Sequence, residues 1–311
     1  MSVISIVIPA YNEAENIQEI YERISKEFSM LKEDFEVIFV DDGSKDETFF
    51  RISTLTLNHK NVIGVKFSRN FGKEAAIFAG LHQASGDATI VMDADMQHPV
   101  TLLHDMVDKW QQGYLIVEAR KMKRQNESAM YRFFSKLFYK ILNRMAGIEL
   151  NNLSDFKLLD RKAYQMISKL TEKQTFFRAL SGWMGYRTCF IDFEVADRLH
   201  GQTSWSMKGL FKYAINNITS FSSLPLHLVT VMGFIFFVFA MLLGVHTLYN
   251  YFAGDAVSGF TTVILVLLIL GAVLMTALGI IGHYLAKIYD ELKNRPRYII
   301  EEIKGVNYGE D

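Results

Sequence analysis

The chain has 311 residues and a formal net charge of −1, and it is 50% hydrophobic yet 22% charged. That near-neutral balance gives no global basic field to attract nucleic acid, and the single cysteine, Cys189, excludes an internal disulfide and suits a reducing compartment. So much apolar residue beside so much charge, in a chain longer than the ~100–200 residues of one domain, points to a soluble part joined to a membrane part.

The opening stretch, MSVISIVIPAYNEAEN, lacks the basic start and long apolar core of a signal peptide, so a folded cytosolic domain is expected to come first. Val3–Ile8 is a β-branched run that reads as a strand. In the following PAYNEAEN, Asn12 and Glu15 have capping-box spacing, and Ile17, Ile20, Tyr21, Ile24 and Phe28 then recur at helical spacing. Phe35–Val40 reads as a second strand delivering Asp41, Asp42, Gly43 and Ser44, and Ser44 with Glu47 repeats the capping-box spacing before a second helix. Val62–Phe67 is a third strand, followed by a loop and helix in SRNFGKEAAIFAGLHQASGD. Thr89–Met92 reads as a fourth, buried strand, and Tyr114–Glu118 as a fifth. Strands alternating with helical patterns imply a parallel α/β sheet, and such sheets bind ligands beyond the carboxyl ends of their strands.

The fourth strand runs out into Asp93, Asp95 and Gln97. On an extended chain alternate residues share a face, which gathers two carboxylates and an amide oxygen into a set suited to Mg²⁺ or Mn²⁺. Neither a GxGxxG nor a GxxxxGK[ST] pattern occurs, so phosphates need a metal and cationic side chains in place of a glycine cradle. Glu13, Asp41 and Asp42, at the ends of strands one and two, suit hydrogen bonds from a nucleobase edge and a ribose; an ordinary cap or turn role is the competing reading for each.

IVIPAYNEAENI, VDDGS, FSRNFGKEAAIFAGL, ASGD and MDADMQHP, in this order and spacing, resemble the family 2 glycosyltransferases of GT-A fold. Within them the likeness is to the polyprenyl-phosphate branch, which includes dolichol-phosphate mannose synthases and bactoprenol glucosyltransferases. It continues through SDFKLLDR, RLHGQTSW and SFSSLPL. The resemblance implies that Pro9, Tyr11, Glu13 and Asp42 lie at the nucleoside, with Asp41, Lys73 and Ser204 completing the expected donor contacts. It sets Asp93 and Asp95 at the donor diphosphate and its divalent cation, with Gln97 as a further ligand. Asp155 matches the family's candidate catalytic carboxylate, an N-cap being its competing reading. A lipid monophosphate has a second pKa near ~6, so proton removal is a small task and the positioning of two anions the large one. The cation, Arg120 or Arg124, Arg198 and Lys208 are therefore expected to supply most of the rate by neutralisation and orientation, with Asp155 orienting sugar or acceptor. One departure from the branch falls in the loop after Arg198: many relatives carry Lys after the Ser/Thr, where this chain has Trp205, with Lys208 three residues on.

Tyr131–Met145 is basic and amphipathic, fitting either an anionic membrane surface or a helix packed on its own sheet. Met207–Phe221 reads as an interfacial helix, and Leu226–Tyr251 and Thr262–Ile288 are each long enough for the ~20 residues of a bilayer span. Between Lys212 and Lys287 there is no Lys or Arg, so the positive-inside rule sets both termini in the cytoplasm and the connector outside. Gly271, Gly279 and Gly282 suit close helix contact and hint at a homo-oligomer. The expected layout is a GT-A domain over 1–206, an interfacial helix over 207–225, a transmembrane hairpin over 226–288 and a cytoplasmic tail over 289–311. The expected activity is inverting transfer of glucose or an N-acetylhexosamine from a UDP-sugar to undecaprenyl phosphate at the cell membrane, for modification of an envelope glycan. A GDP-mannose-dependent synthase and a non-catalytic membrane scaffold are the alternatives.

Overall fold

Four β-branched runs form the parallel centre of the sheet: β1 (Val3–Ala10), β2 (Asp34–Asp41), β3 (Val62–Phe67) and β4 (Ala88–Val91), in the order β4-β1-β2-β3. The structure, a computed structural model, describes residues 2–121, 153–170, 172, 177–193, 224–253 and 259–305. The strands are linked by α1 (Ile17–Phe28), α2 (Thr48–Asn58) and α3 (Lys73–Gln83), and α4 (Leu102–Gln111) leads on to β5 (Ile116–Lys121). Strand alternation divides the core: Ile4, Ile6 and Ile8 pack on one face with Ile17, Ile20 and Leu103, and Val7 and Val40 on the other with Ala76 and Phe78 of α3. A side chain at Gly80 would place its Cβ 2.2 Å from Val7. Glycine there lets α3 lie against β1, which in turn sets where the first residue of α3, Lys73, stands.

Beyond β4 the sheet changes direction. β6 (Leu153–Asp160) lies antiparallel between β4 and β5, and β7 (Thr188–Phe193) pairs parallel to β5 at the outer edge. Between them come α5 (Arg161–Ser168), capped by Asp160 accepting from the Lys162 N–H at 3.0 Å, and α6 (Phe177–Met184). Asp155 is therefore a strand residue, and the N-cap reading for it falls. The two expected capping boxes are also replaced. Asn12, at φ 56°, spends its side chain on the Lys45 N–H, and Ser44 Oγ accepts from the Asn12 N–H. Those bonds stitch the β1–α1 loop to the β2–α2 loop, while Asp46 accepts from the Thr48 N–H where α2 starts.

The chain divides into two units, one comprising Met1–Trp205 with Pro296–Asp311, the other Ser206–Arg295. Residues 300–304 are not a free tail: β8 (Ile300–Lys304) pairs antiparallel with β3 and closes the other sheet edge. Ahead of it, Tyr298 stacks on Phe67 with centroids 5.0 Å apart, and Arg297 lies 3.6 Å over the Phe78 ring while donating to the Leu170 carbonyl. The second unit contains α7 (Leu224–Ala253) and α8 (Phe260–Leu292), both long and apolar enough to cross a membrane and neither buried within the described protein.

Candidate active site

The parallel register brings the carboxyl ends of β1, β2, β3 and β4 to one edge, since Ala10 pairs with Asp41 and Val7 with Val91. A cleft of about 400 Å³ opens there, lined by Pro9, Ala10, Tyr11, Glu13, Asp42, Asn70, Gly72, Lys73, Asp93, Ala94 and Asp95. Each loop is held by its neighbour. Asp42 accepts from the Phe71 N–H at 2.7 Å and the Gly72 N–H at 2.9 Å, so the second strand end pins the third. Gly43, at φ 68°, has Arg69 and Asn70 so close that a Cβ would lie 2.4 Å from the Arg69 carbonyl carbon. Only glycine accepts both that conformation and that approach.

β4 ends at Val91, so the segment from Asp93 to His98 is a turn and not the extended strand the alternation suggested. Met96 takes φ 56°, and Asp95 accepts the Gln97 N–H at 3.1 Å, a turn that leaves Asp93 and Asp95 on the cleft and Gln97 off its lining. Behind it His98 is buried, stacked on Phe156 at 4.8 Å, and accepts the Asp93 N–H on Nδ1 at 3.2 Å.

Extending the antiparallel register of β4 and β6 by two residues beyond the Val91–Lys157 pair sets Asp155 across from Asp93. Lys73 joins them, its Nζ 2.6 Å from Asp93 Oδ1 and 2.5 Å from Asp155 Oδ2. Arg178 of α6 grips Asp155 with both prongs of its guanidinium, each at 2.8 Å. Burial opposes ionisation of Asp155, but the Arg178 hydrogen bonds and the Lys73 charge overcome it and hold the carboxyl far below the carboxylate range. For Asp93, burial is likewise outweighed by Lys73 and then His98, and the group stays ionised. Burial pushes Glu13 up, with Asp95 and Asp93 adding repulsion against the Asn16 hydrogen bond.

Four acidic groups, Glu13, Asp42, Asp93 and Asp95, line the cleft; Asp42 is spent on backbone N–H groups, and Asp95 and Asp93 add repulsion at Glu13, which a divalent cation would relieve. Among the described residues no group of three or more His, Cys, Asp or Glu is placed to hold a metal ion by itself, which leaves the pair Asp93 and Asp95. Two carboxylates with the rest of the shell left to substrate oxygens is the usual pattern for Mg²⁺ on a phosphate ligand. The residues fit such a cation.

The glycosyl transferase family 2 signature matches residues 5–167, more than half of the chain and all of this parallel centre but the first two residues of β1. This chain belongs to glycosyl transferase family 2. It is 34% identical to the prophage bactoprenol glucosyl transferase homolog of Escherichia coli K12, over 97% of this chain and 99% of that one. It is 35% identical to the SfII prophage-derived bactoprenol glucosyl transferase of Shigella flexneri, over 96% of this chain and 97% of the relative. An uncharacterized glycosyltransferase of Synechocystis is 39% identical over 98% of this chain and 96% of its own length.

In this family 2 transferase the cleft gathers Pro9, Tyr11, Glu13, Asp42, Lys73, Asp93 and Asp95 as the sequence suggests, and Asp155 reaches it through Lys73. Two expected site residues are not on the lining of this cleft. Asp41 is fully buried, its Oδ1 accepts the Ser44 N–H at 3.0 Å, and it is a turn former off the cleft lining. Arg120 points to the neighbouring strand, pairing with Asp192 at 2.6 Å and lying over Phe190. Arg124, Arg198, Ser204 and Lys208 lie outside the described residues, as do the Tyr131–Met145 stretch and the interfacial helix.

Sequence reasoning missed Arg178 and the pair beneath it. Lys157, fully buried, donates to Glu118 at 3.2 Å, Ser181 at 2.9 Å and the Arg178 carbonyl at 3.3 Å. Asp155 and Lys157 share a face of β6, so Lys157 seats α6 and α6 presents Arg178 to Asp155. The one available signal was Lys157, a second charge two residues after Asp155 and flanked by Phe156 and Leu158.

Proposed function

We propose that this protein catalyses inverting transfer of a hexose, glucose or an N-acetylhexosamine, from a UDP-sugar to undecaprenyl phosphate at the cytoplasmic face of the cell membrane. The observation that carries the reading is the acidic cleft at the parallel strand ends, with Lys73 inside it and two exposed apolar helices later in the same chain. The likeness to two bactoprenol glucosyl transferases over nearly the full chain favours glucose and a polyprenyl phosphate acceptor. The absence of Lys and Arg from 213 to 286 supports an outward connector. Chain connectivity supports the same topology, because the sequence on both sides of the hairpin returns to one folded unit through β8.

Asp93 and Asp95 would hold a divalent cation, Mg²⁺ or Mn²⁺, which supplies neutralisation for a departing nucleoside diphosphate. The chain's own groups do the rest. Tyr11, Glu13 and Asp42 line the nucleoside end of the cleft, and Lys73 brings a positive charge to the diphosphate end. The acceptor phosphate attacks the anomeric carbon as its own anion, given a second pKa near ~6. Asp155, bound by Lys73 and Arg178 and strongly ionised, is too weak a base to be useful. It orients those two cations.

The test is to incubate the solubilised full chain with undecaprenyl phosphate and, separately, UDP-glucose, UDP-N-acetylglucosamine and GDP-mannose, and to weigh the lipid product. A hexosyl undecaprenyl phosphate from a UDP-sugar is expected. Product from GDP-mannose alone would favour the mannose-synthase reading, and no lipid-linked sugar from any donor would overturn the proposal.

A further inference from the structure

Lys73 is an odd residue to begin a helix. A cation in the first turn opposes the helix dipole, whose amino end favours negative charge, and the next residue, Glu74, already supplies that charge. The position of Lys73 is explained instead by its partners outside the helix: Asp93 at the end of β4 and Asp155 on β6, both within 2.6 Å. The two partners differ. Asp155 is also gripped by Arg178 and is nearly sealed from solvent, whereas Asp93 is more exposed and sits on the turn with Asp95. Lys73 thus bridges the two carboxylates, and Arg178 adds a second cation at Asp155 alone. Asp95 and Glu13 have no lysine or arginine partner among the described residues.

We propose that Lys73 is an exchanging counter-cation: it neutralises Asp93 until a divalent ion and a nucleoside diphosphate arrive together, then passes its ammonium to the diphosphate while Asp155 keeps hold of it. This rests on the cleft being the donor site. The exchange involves no proton transfer. The ammonium gives up one carboxylate and gains a phosphate oxygen, and the incoming divalent ion takes over Asp93. A divalent ion alone must displace a 2.6 Å ion pair without giving the ammonium a new partner. With the diphosphate present, the displaced charge is re-paired. Ion and nucleotide therefore help each other bind, and by linkage the help is mutual. Asp155 and Arg178 act as the hinge that stops the ammonium from leaving the site.

The prediction is an inversion of sign. Mn²⁺ binding to the solubilised full chain is measured by calorimetry, with and without saturating UDP, for wild type, Lys73→Met and Lys73→Gln. In the wild type UDP tightens Mn²⁺ binding by about 10–100-fold, within the range of ordinary coupling free energies. In either variant Mn²⁺ alone binds tighter than in wild type, because nothing competes for Asp93. Mn²⁺ in the presence of UDP binds weaker, because the diphosphate has lost its ammonium. A static Lys73 that merely repels the ion would move both affinities in the same direction, and that result overturns the exchange, as does an unchanged pair of affinities. Two variants are used because Lys73→Met could unfold the loop, while Lys73→Gln keeps a polar head for Asp155. If wild type binds no Mn²⁺ even with UDP, the donor-site reading itself has failed, an outcome separate from the failure of the exchange.

Discussion

The two halves of the catalytic sheet are built on different rules. In the half formed by β4, β1, β2 and β3, strands are parallel, loops are short, and each strand end drops its polar residues onto the same edge. In the half formed by β6, β5 and β7, β6 runs against both its neighbours while β5 and β7 run together, and the charges sit within strands or on α6: Asp155, Lys157, Glu118 and Arg178. On the proposed reading the first half would meet the donor, and the second, an ionic frame of Asp155, Arg178, Lys157 and Glu118, would set the first in place.

The contrast is sharpest when a residue from each half is removed. Asp95→Ala takes away a cleft carboxylate with little structural duty, and sugar transfer is expected to fall by about 10³-fold, the size seen when one charged partner of a reacting group is lost. Unfolding temperature should scarcely move. Lys157→Met does the reverse. It leaves Glu118 buried and unpaired, for which about 3–5 kcal/mol of lost stability is expected, measured by denaturant unfolding of the solubilised protein. The double variant Lys157→Met/Glu118→Leu should recover part of that loss. A full loss in the double variant would show that the Ser181 and Arg178 contacts matter more than the ion pair.

Arg178→Gln and Asp155→Asn test whether the frame acts by positioning. Each is expected to lower kcat by about 10²-fold, the effect of misplacing a charged group by an ångström or so. The acid limb of the rate–pH profile should stay where it is, because no base has been removed. A limb that disappears in Asp155→Asn would restore a base role to that carboxylate. The smallest effect belongs to Glu74, between the halves, whose Oε2 accepts the Phe177 N–H at 3.0 Å. Burial, then the Asp155 charge, pushes its carboxyl from an ordinary 4.5 up to about 7. The folded protein thus holds a proton there between pH 4.5 and 7 that the unfolded chain has released, and this group's contribution to stability is lost as pH rises through that window. Glu74→Gln should raise the unfolding temperature by a few degrees at pH 8 and leave it unchanged near pH 4. The opposite pattern would mean that the carboxylate is stabilising as an anion.

The same division explains what could be read from the sequence. The parallel half announces itself: β-branched runs such as VISIVI and FEVIFV end in polar residues, and the family motifs sit at those ends. The carboxyl-end rule then places Glu13, Asp42, Asp93 and Asp95 together without any long-range information. The mixed half has no such local rule. That β6 runs antiparallel beside β4, and so faces Asp155 with Asp93, follows from chain reversal over a distance that periodicity does not encode. Arg178 lies on a helix of eight residues whose partner strand could not be named beforehand. Asp41 and Asp42 show the finer limit. Adjacent acids of one type look equivalent in the chain, yet the pleat buries Asp41 in its turn and turns Asp42 onto the cleft. The apolar hairpin was legible from length alone, but β8 was not. Its IEEIK pattern is too short and charged to stand out, and only pairing with β3 makes it a strand.

The most direct test of the acidic cleft is to remove divalent ions from the solubilised enzyme with a chelator and follow sugar transfer to undecaprenyl phosphate. Transfer is predicted to drop to background and to return when Mn²⁺ or Mg²⁺ is restored. Undiminished transfer under chelation would contradict the role assigned here to Asp93 and Asp95.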